Sequence, residues 1–243
     1  MRIALISDVH ANLVALDAVL TDAEARGAET IWNLGDTVGY GPDPNGVIAR
    51  LRTEGAVSVL GNHDAAVTGQ ITTELFNPVA AEAAAWTEKE LNDDARTHLS
   101  GLATLYREGD WSCVHGTLRD PIWEYLFTVE AAGEHFQRQQ TPFSAVGHTH
   151  VPLLIRKVEG GGVEATPPSE DQDEPLGEGL LCVNPGSVGQ PRDGDPRASY
   201  TLVDTSTGTV THHRVVYDVP ETQRLIAEAG LPKPLAERLE LGR

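Results

Sequence analysis

Cysteine is nearly absent from this 243-residue chain, and the two present, Cys113 and Cys182, each lie inside an apolar, strand-like run. No disulfide framework is needed to explain the fold, and both side chains read as buried, reduced thiols of a cytosolic protein. Cations are scarce too. Only 18 Lys and Arg stand against 36 Asp and Glu, a formal net charge of −18, and the pI is near 4.7. That balance opposes non-specific binding to nucleic acid or to an anionic membrane. No apolar run approaches the roughly 18 residues of a membrane span. No signal-like segment opens the chain, because the apolar run Ile3 to Ile6 passes straight into Asp8. The cytoplasm is the expected location, and no membrane partner is expected.

What remains is enough for a core. Hydrophobic residues make up 40% of the chain, while 24 Gly and 15 Pro imply many turns. The expectation is one domain over residues 1–243. The four apolar residues Ile3 to Ile6 read as a strand buried on both faces. The run stops at Ser7-Asp8, so Asp8 and His10 fall at the carboxyl end of a strand, where open α/β sheets place ligands. An Asp-x-His pair suits a first-row transition metal, although a turn Asp often serves only as a helix cap.

The same ending recurs along the chain. Strands are expected over 29–34, 56–60, 111–114 and 144–146. They close on Gly35-Asp36, Gly61-Asn62-His63-Asp64, His115-Gly116 and Gly147-His148-Thr149-His150. Helical patterns over 13–26 and 45–52 alternate with the first strands, a parallel α/β arrangement. Further helices are expected over 78–91, 93–99 and 129–139, with a strand over 102–107. Two short helices across 220–241 are broken at Gly230-Leu231-Pro232. The carboxyl half is strand-rich, over 153–158, 180–183, 199–203 and 209–216, which predicts a second sheet packed on the first with helices outside. The Gly-, Pro- and acid-rich tract 160–179 reads as an exposed hairpin excursion without assigned structure. Trp123, Tyr125 and Phe127 read first as packing residues, with a substrate lip as the alternative.

Asp8, His10, Asp36, Asn62, His63, His115, His148 and His150 all stand at strand ends, and they include five of the nine histidines. Each has an ordinary explanation singly. Together they predict a metal centre, since the strand ends of one sheet converge. His98, His135, His212 and His213 lie outside any motif and read as solvated or structural.

In this order, Asp8-x-His10, Gly35-Asp36, Gly61-Asn62-His63-Asp64, His115 and Gly147-His148-x-His150 resemble the motifs of the calcineurin-like metallophosphoesterase superfamily. The turn Asn184-Pro185-Gly186-Ser187 is similar to that of its small bacterial and archaeal phosphodiesterase branch. The resemblance implies an α/β fold, a two-sheet β-sandwich flanked by helices in four αββα layers. It implies two divalent transition-metal ions, manganese first, with iron or zinc as alternatives. One ion would be held by Asp8, His10, Asp36 and His150. The other would be held by Asp36, Asn62, His115 and His148, with Asp36 bridging. His63 takes the position of the family's catalytic, non-ligand histidine, protonating or hydrogen-bonding the leaving oxygen while a metal-bridging hydroxide attacks phosphorus.

One departure bears on specificity. Where relatives that act on phosphoproteins and dinucleotide polyphosphates carry an Asp-Arg pair, this chain has Gly39 and Tyr40. The arginine would clamp a phosphoryl dianion, which a singly charged diester needs less. Arg192, beyond the Asn-Pro-Gly-Ser turn, is a candidate substitute. The expected activity is hydrolysis of a small-molecule phosphodiester, with cyclic and linear nucleotides among the candidates. A phosphomonoesterase or protein phosphatase is the first alternative, and a non-catalytic binding scaffold of the same fold the second. The sequence carries no signal for oligomeric state.

Overall fold

Alternation within the first strand sets up the layers. In the computed structural model, which describes residues 1–243, β1 (Arg2–Ile6) sends Ile3 and Leu5 into one core and Ala4 and Ile6 into another. It is followed by α1 (Leu13–Ala25), β2 (Thr30–Asn33), α2 (Pro44–Thr53), β3 (Val57–Ser58), α3 (Asn62–Val67), α4 (Pro78–Glu90) and α5 (Asp93–Ser100). Next come β4 (Leu105–Glu108), β5 (Trp111–Val114), α6 (Val129–Arg138), β6 (Phe143–Ala145), β7 (Leu153–Lys157), β8 (Val163–Thr166) and β9 (Asp173–Pro175). The chain closes with β10 (Leu181–Asn184), β11 (Ala198–Asp204), β12 (Thr209–Val215), α7 (Val219–Glu228), α8 (Lys233–Glu237) and a 3-10 turn (Leu239–Leu241).

Two mixed sheets of six strands result, in the orders β3-β2-β1-β11-β12-β9 and β4-β5-β6-β10-β7-β8. Between them lie Leu5, Trp32, Leu34, Trp111, Cys113, Leu181 and Val183. The outer face of the first sheet packs Ala4 and Ile6 on Leu16 and Val19 of α1 and Val47, Ile48 and Leu51 of α2. The outer face of the second packs Val114 and Cys182 on Ala131, Ala132 and Phe136 of α6. This is the helix-flanked sandwich that the sequence implied. Both thiols are buried and unpaired, and burial pushes Cys182 up to about 12. No helix is long and apolar enough to cross a membrane.

Side-chain caps place most helix starts where the sequence put them. Asn12, Asp43, Asn77, Asn92 and Thr128 each accept from a backbone N–H in the first turn of α1, α2, α4, α5 and α6. The structure differs in two places. Asn62 and His63, read only as the polar close of a strand, open α3, a helix too short to show an apolar period. The tract 160–179 contributes two edge strands: β8 forms a hairpin with β7, and β9 crosses to pair with β12 of the other sheet. The Asp-Glu-Pro sequence of β9 has little strand propensity of its own, so its conformation comes from the pairing.

Leu5 is fully buried between the sheets, whereas Val216 is 77% exposed. Leu5→Ala is expected to lower unfolding free energy by about 2–5 kcal/mol. Val216→Ala should stay within about 0.5 kcal/mol. Chemical denaturation of both variants checks the layer assignment.

Candidate metal centre

Six strands, parallel within two groups, deliver the site. β1, β2 and β3 lead to Asp8 and His10, to Asp36, and to Asn62 and His63. β5, β6 and β10 lead to His115, to His148 and His150, and to the Asn184–Ser187 turn. The structure brings all eight residues singled out in the sequence together, each 4% exposed or less. The backbone there is strained. Asp8, His10, Asp36, His148 and His150 have φ between 48° and 66°, as do Ala11 and Tyr40 beside them. A left-handed backbone at a non-glycine residue costs about 1–3 kcal/mol and collects at functional sites. It lets the chain reverse at once where β1, β2 and β6 end.

Each histidine and aspartate of the cluster has one polar atom tied outward and another left bare. His10 Nδ1 donates to Val38 O at 3.1 Å, His115 Nδ1 to Leu34 O at 2.9 Å, and His150 Nδ1 to Gln190 O at 2.6 Å. His148 is turned round, its Nε2 donating to Trp123 O at 3.2 Å. Carbonyl oxygens only accept, so each ring presents its other nitrogen as a lone pair. The carboxylates follow the same rule. Asp8 Oδ2 accepts from His148 N at 3.1 Å and Asp36 Oδ1 from His63 N at 2.8 Å, which leaves Asp8 Oδ1 buried and without a partner.

These bare atoms form two groups. In one, His10 Nε2 and His150 Nε2 face each other at 3.1 Å, with Asp8 Oδ1 3.9 Å from the first and 3.3 Å from the second. In the other, His115 Nε2 lies 3.0 Å from His148 Nδ1 and 3.1 Å from Asn62 Oδ1. Asp36 Oδ2 stands between the groups, 3.7 Å from His10 Nε2 and 3.4 Å from His115 Nε2. Buried lone pairs facing each other without a proton are costly unless a cation lies among them. The residues present therefore fit a pair of divalent ions, with imidazole, amide and carboxylate donors suited to manganese, iron or zinc.

The electrostatics agree. Burial holds His10 and His150 below the usual imidazole range and His148 down to about 3, so their rings are neutral. Burial alone would raise Asp8 and Asp36, but the surrounding imidazoles keep both well below the carboxylate range. Burial lowers His115 as well, yet Asp36 and Asp8 outweigh it and carry this group up to about 9. The two carboxylates thus favour positive charge at the centre of the cluster, the sign that a divalent ion would bring.

His63 stands beside both groups. Its ring packs against Tyr40 (centroids 4.4 Å apart), Phe76 (4.6 Å) and His10 (5.0 Å), and its Nδ1 is buried without a partner. Burial pushes His63 down to about 4. A ring atom of His63 also lies within 4.8 Å of donors from His10 and Asp36. Asp64 makes no hydrogen bond to this ring. Its carboxylate accepts from Thr37 N, Val38 N and Gly61 N at 3.0–3.2 Å and so shapes the Asp36 loop. Gly39 has φ of 89°, and a Cβ there would sit 2.4 Å from His63 Nδ1. The imidazole thus occupies the space that an aspartate at position 39 would need.

Tyr125 and Phe127 are not packing residues, being 46% and 57% exposed. Tyr125 stacks on His148 at 3.9 Å, and with Trp123, Phe76 and Leu75 it lines the pocket that also contains Asp36, Asn62, His148 and His150. His135, His212 and His213 are buried, not solvated. His135 bridges Leu118 N and Ser144 Oγ in the second sheet's outer layer.

A sequence profile of the calcineurin-like phosphoesterase superfamily domain matches residues 1–208. The chain belongs to the calcineurin-like phosphoesterase superfamily. An uncharacterised protein of Methanocaldococcus jannaschii is 37% identical over 254 residues, covering 99% of this chain and 98% of that protein. The crystal structure of a metallophosphoesterase from Sphaerobacter thermophilus is 46% identical with a TM-score of 0.91, covering 100% of this chain and 99% of that one. A hypothetical protein from Pyrococcus horikoshii shares the fold at a TM-score of 0.81 and 19% identity, over 100% and 98% of the two chains. Calcineurin-like phosphoesterases use divalent metals, and phosphoric ester hydrolysis is the class of reaction to which this chain belongs.

Protein reloaded with manganese and desalted is expected to carry two ions per chain. Asp36→Ala should lose both, and His115→Ala only the one beside Asn62 and His148. Elemental analysis of the three proteins reads this directly, and a wild-type content of one ion would break the shared-carboxylate assignment.

Proposed function

We propose that this protein is a dinuclear-metal phosphodiesterase acting on a small diester that carries a planar aromatic or nucleobase substituent. The observation that carries the reading is Asp36, with one oxygen tied to His63 N and the other between two sets of bare donors. Asp8, His10, Asp36 and His150 would hold one ion, and Asp36, Asn62, His115 and His148 the other. Bound divalent ions would supply Lewis acidity and an acidified water as nucleophile, with manganese the best match to the donors.

The chain's own residues do the rest. His63, wedged among Tyr40, Phe76 and His10, presents an imidazole to the leaving group. Burial keeps that ring neutral, and an anionic phosphoryl group beside it favours the protonated form needed to donate. Asn62 is neutral, which preserves the positive field that attracts phosphate. Phe76, Trp123 and Tyr125 form an apolar wall on which a flat substituent can stack. Gly39 and Tyr40, in place of an Asp-Arg pair, favour a monoanionic diester over a dianionic monoester. A complete donor set with His63 in place argues against a scaffold that only binds.

The preference is tested by kcat/KM for an aryl phosphodiester and the matching monoester at fixed manganese. The diester should be the better substrate, and a monoester preference of about tenfold, ~1.4 kcal/mol in transition-state binding, would reverse the reading.

Two adjacent residues should separate binding from chemistry. Asn62→Ala is expected to lower metal content, with excess manganese restoring part of the rate. His63→Ala should keep both ions while kcat falls by roughly 10²–10⁴. The loss should be smaller for a nitrophenolate leaving group than for an alkoxide. If His63→Ala empties a site, or slows both substrates equally, His63 is not the leaving-group acid.

A further inference from the structure

Position 40 is a tyrosine where the motif would supply an arginine, yet the pocket does contain a guanidinium. Arg192, on the loop leaving β10, lines it together with Asp36, Asn62, His63 and His150. Its Cζ lies 5.8 Å from the centroid of the Tyr40 ring, and its Nη2 donates to Gln190 Oε1 at 2.8 Å. Its Nε is buried and donates to no protein atom. The carboxylates next to it in sequence are engaged elsewhere, Asp193 by Arg214 and Asp195 by Arg197.

The loop that carries Arg192 is fastened to the metal-site backbone. Val188 N donates to Ser7 O and Gly189 N to Asp8 O, both at 3.0 Å. Ser187 Oγ donates to Asp8 O at 2.8 Å and accepts from Gln190 N at 2.8 Å. A Cβ on Gly189 would fall 1.8 Å from Val9 O, so only glycine permits this approach. Arg192 N donates to His150 O at 3.3 Å. Gln190 serves two ends at once, its main-chain oxygen orienting the His150 ring and its side chain holding Arg192.

We propose that Arg192 is the residue that grips a non-bridging phosphoryl oxygen of the substrate, supplied from the β10 loop with Tyr40 as its platform. The inference rests on the reading of this pocket as a phosphoester site. A buried N–H with no acceptor is costly in a finished structure, and a substrate anion would satisfy it. In a chain of net charge −18, an unpaired cation inside the pocket is a local reversal of sign that draws an anion in. With Nη2 committed to Gln190, the guanidinium has fewer donors to offer, which suits one oxygen of a monoanion better than the full fork that a dianion would engage.

The test uses manganese-loaded full-length protein, with inorganic phosphate as the calorimetric probe. Arg192→Met is expected to weaken phosphate binding about 10- to 100-fold, the worth of a charge-assisted hydrogen bond, with metal content unchanged. Arg192→Lys should recover part of the affinity. Guanidinium chloride at low millimolar concentration should restore turnover in Arg192→Ala, with sodium chloride at the same strength giving none. Phosphate affinity within twofold of wild type in Arg192→Met would overturn the proposal. So would loss of metal in that variant, or lost affinity that neither lysine nor guanidinium recovers, since either marks a merely structural role. If wild type binds no phosphate and cleaves no phosphoester, the reading of the pocket falls and Arg192 with it. Phosphate binding that ignores Arg192 removes only the present assignment.

Discussion

His10 and His150 point bare ring nitrogens at each other across 3.1 Å, and neither has a proton to share, because each spends its N–H on a backbone carbonyl. A protein with no use for that arrangement would relax it with a rotamer change. Here relaxation is blocked from behind. Val38 O holds one ring and Gln190 O the other, while the loops bearing those carbonyls are pinned in turn by Asp64 and by the β10 turn. The mutual repulsion of donors is therefore built into the fold, and a cation is its natural relief.

The burial pattern shows how such a cluster is sustained. Five strand ends from two facing sheets supply the donors, and the two cores on either side of β1 fix the sheets relative to each other. Asp64 stabilises three backbone N–H groups that would otherwise be buried without acceptors. Asn184 does similar work on the second sheet, donating to Gly147 O and Thr149 Oγ1 at 2.9 Å and so bracing the turn that carries His148 and His150. Motif residues outside the proposed ligand set thus determine where its members can stand.

Much of this was legible in the sequence because it depends on local pattern. Apolar runs ending in Asp, Asn or His mark the strand ends, and helical spacing or Ala- and Glu-rich composition marks the helices. The parts that were not legible depend on distant segments meeting. Nothing local to Gly39 says that His63 will fill the space above it, and nothing near Arg192 says that Tyr40 will lie under its guanidinium. Tyr125 follows the same logic. It looked like core by composition, yet it ends half-exposed on His148 because the loop after β5 passes over the site. The strands β8 and β9 were hidden because edge pairing, not propensity, makes them.

Five of the seven proposed ligands sit on left-handed backbone. Glycine would hold those φ values at less cost, by roughly 1–2 kcal/mol per residue. The donor set is therefore maintained against the interest of the fold that carries it. A lineage that ceased to need the chemistry would shed that strain wherever glycine took one of these places, so drift under selection for stability alone would bear first on Asp8, His10, Asp36, His148 and His150. His115 and Asn62, which have no such strain to shed, would be its last remnants.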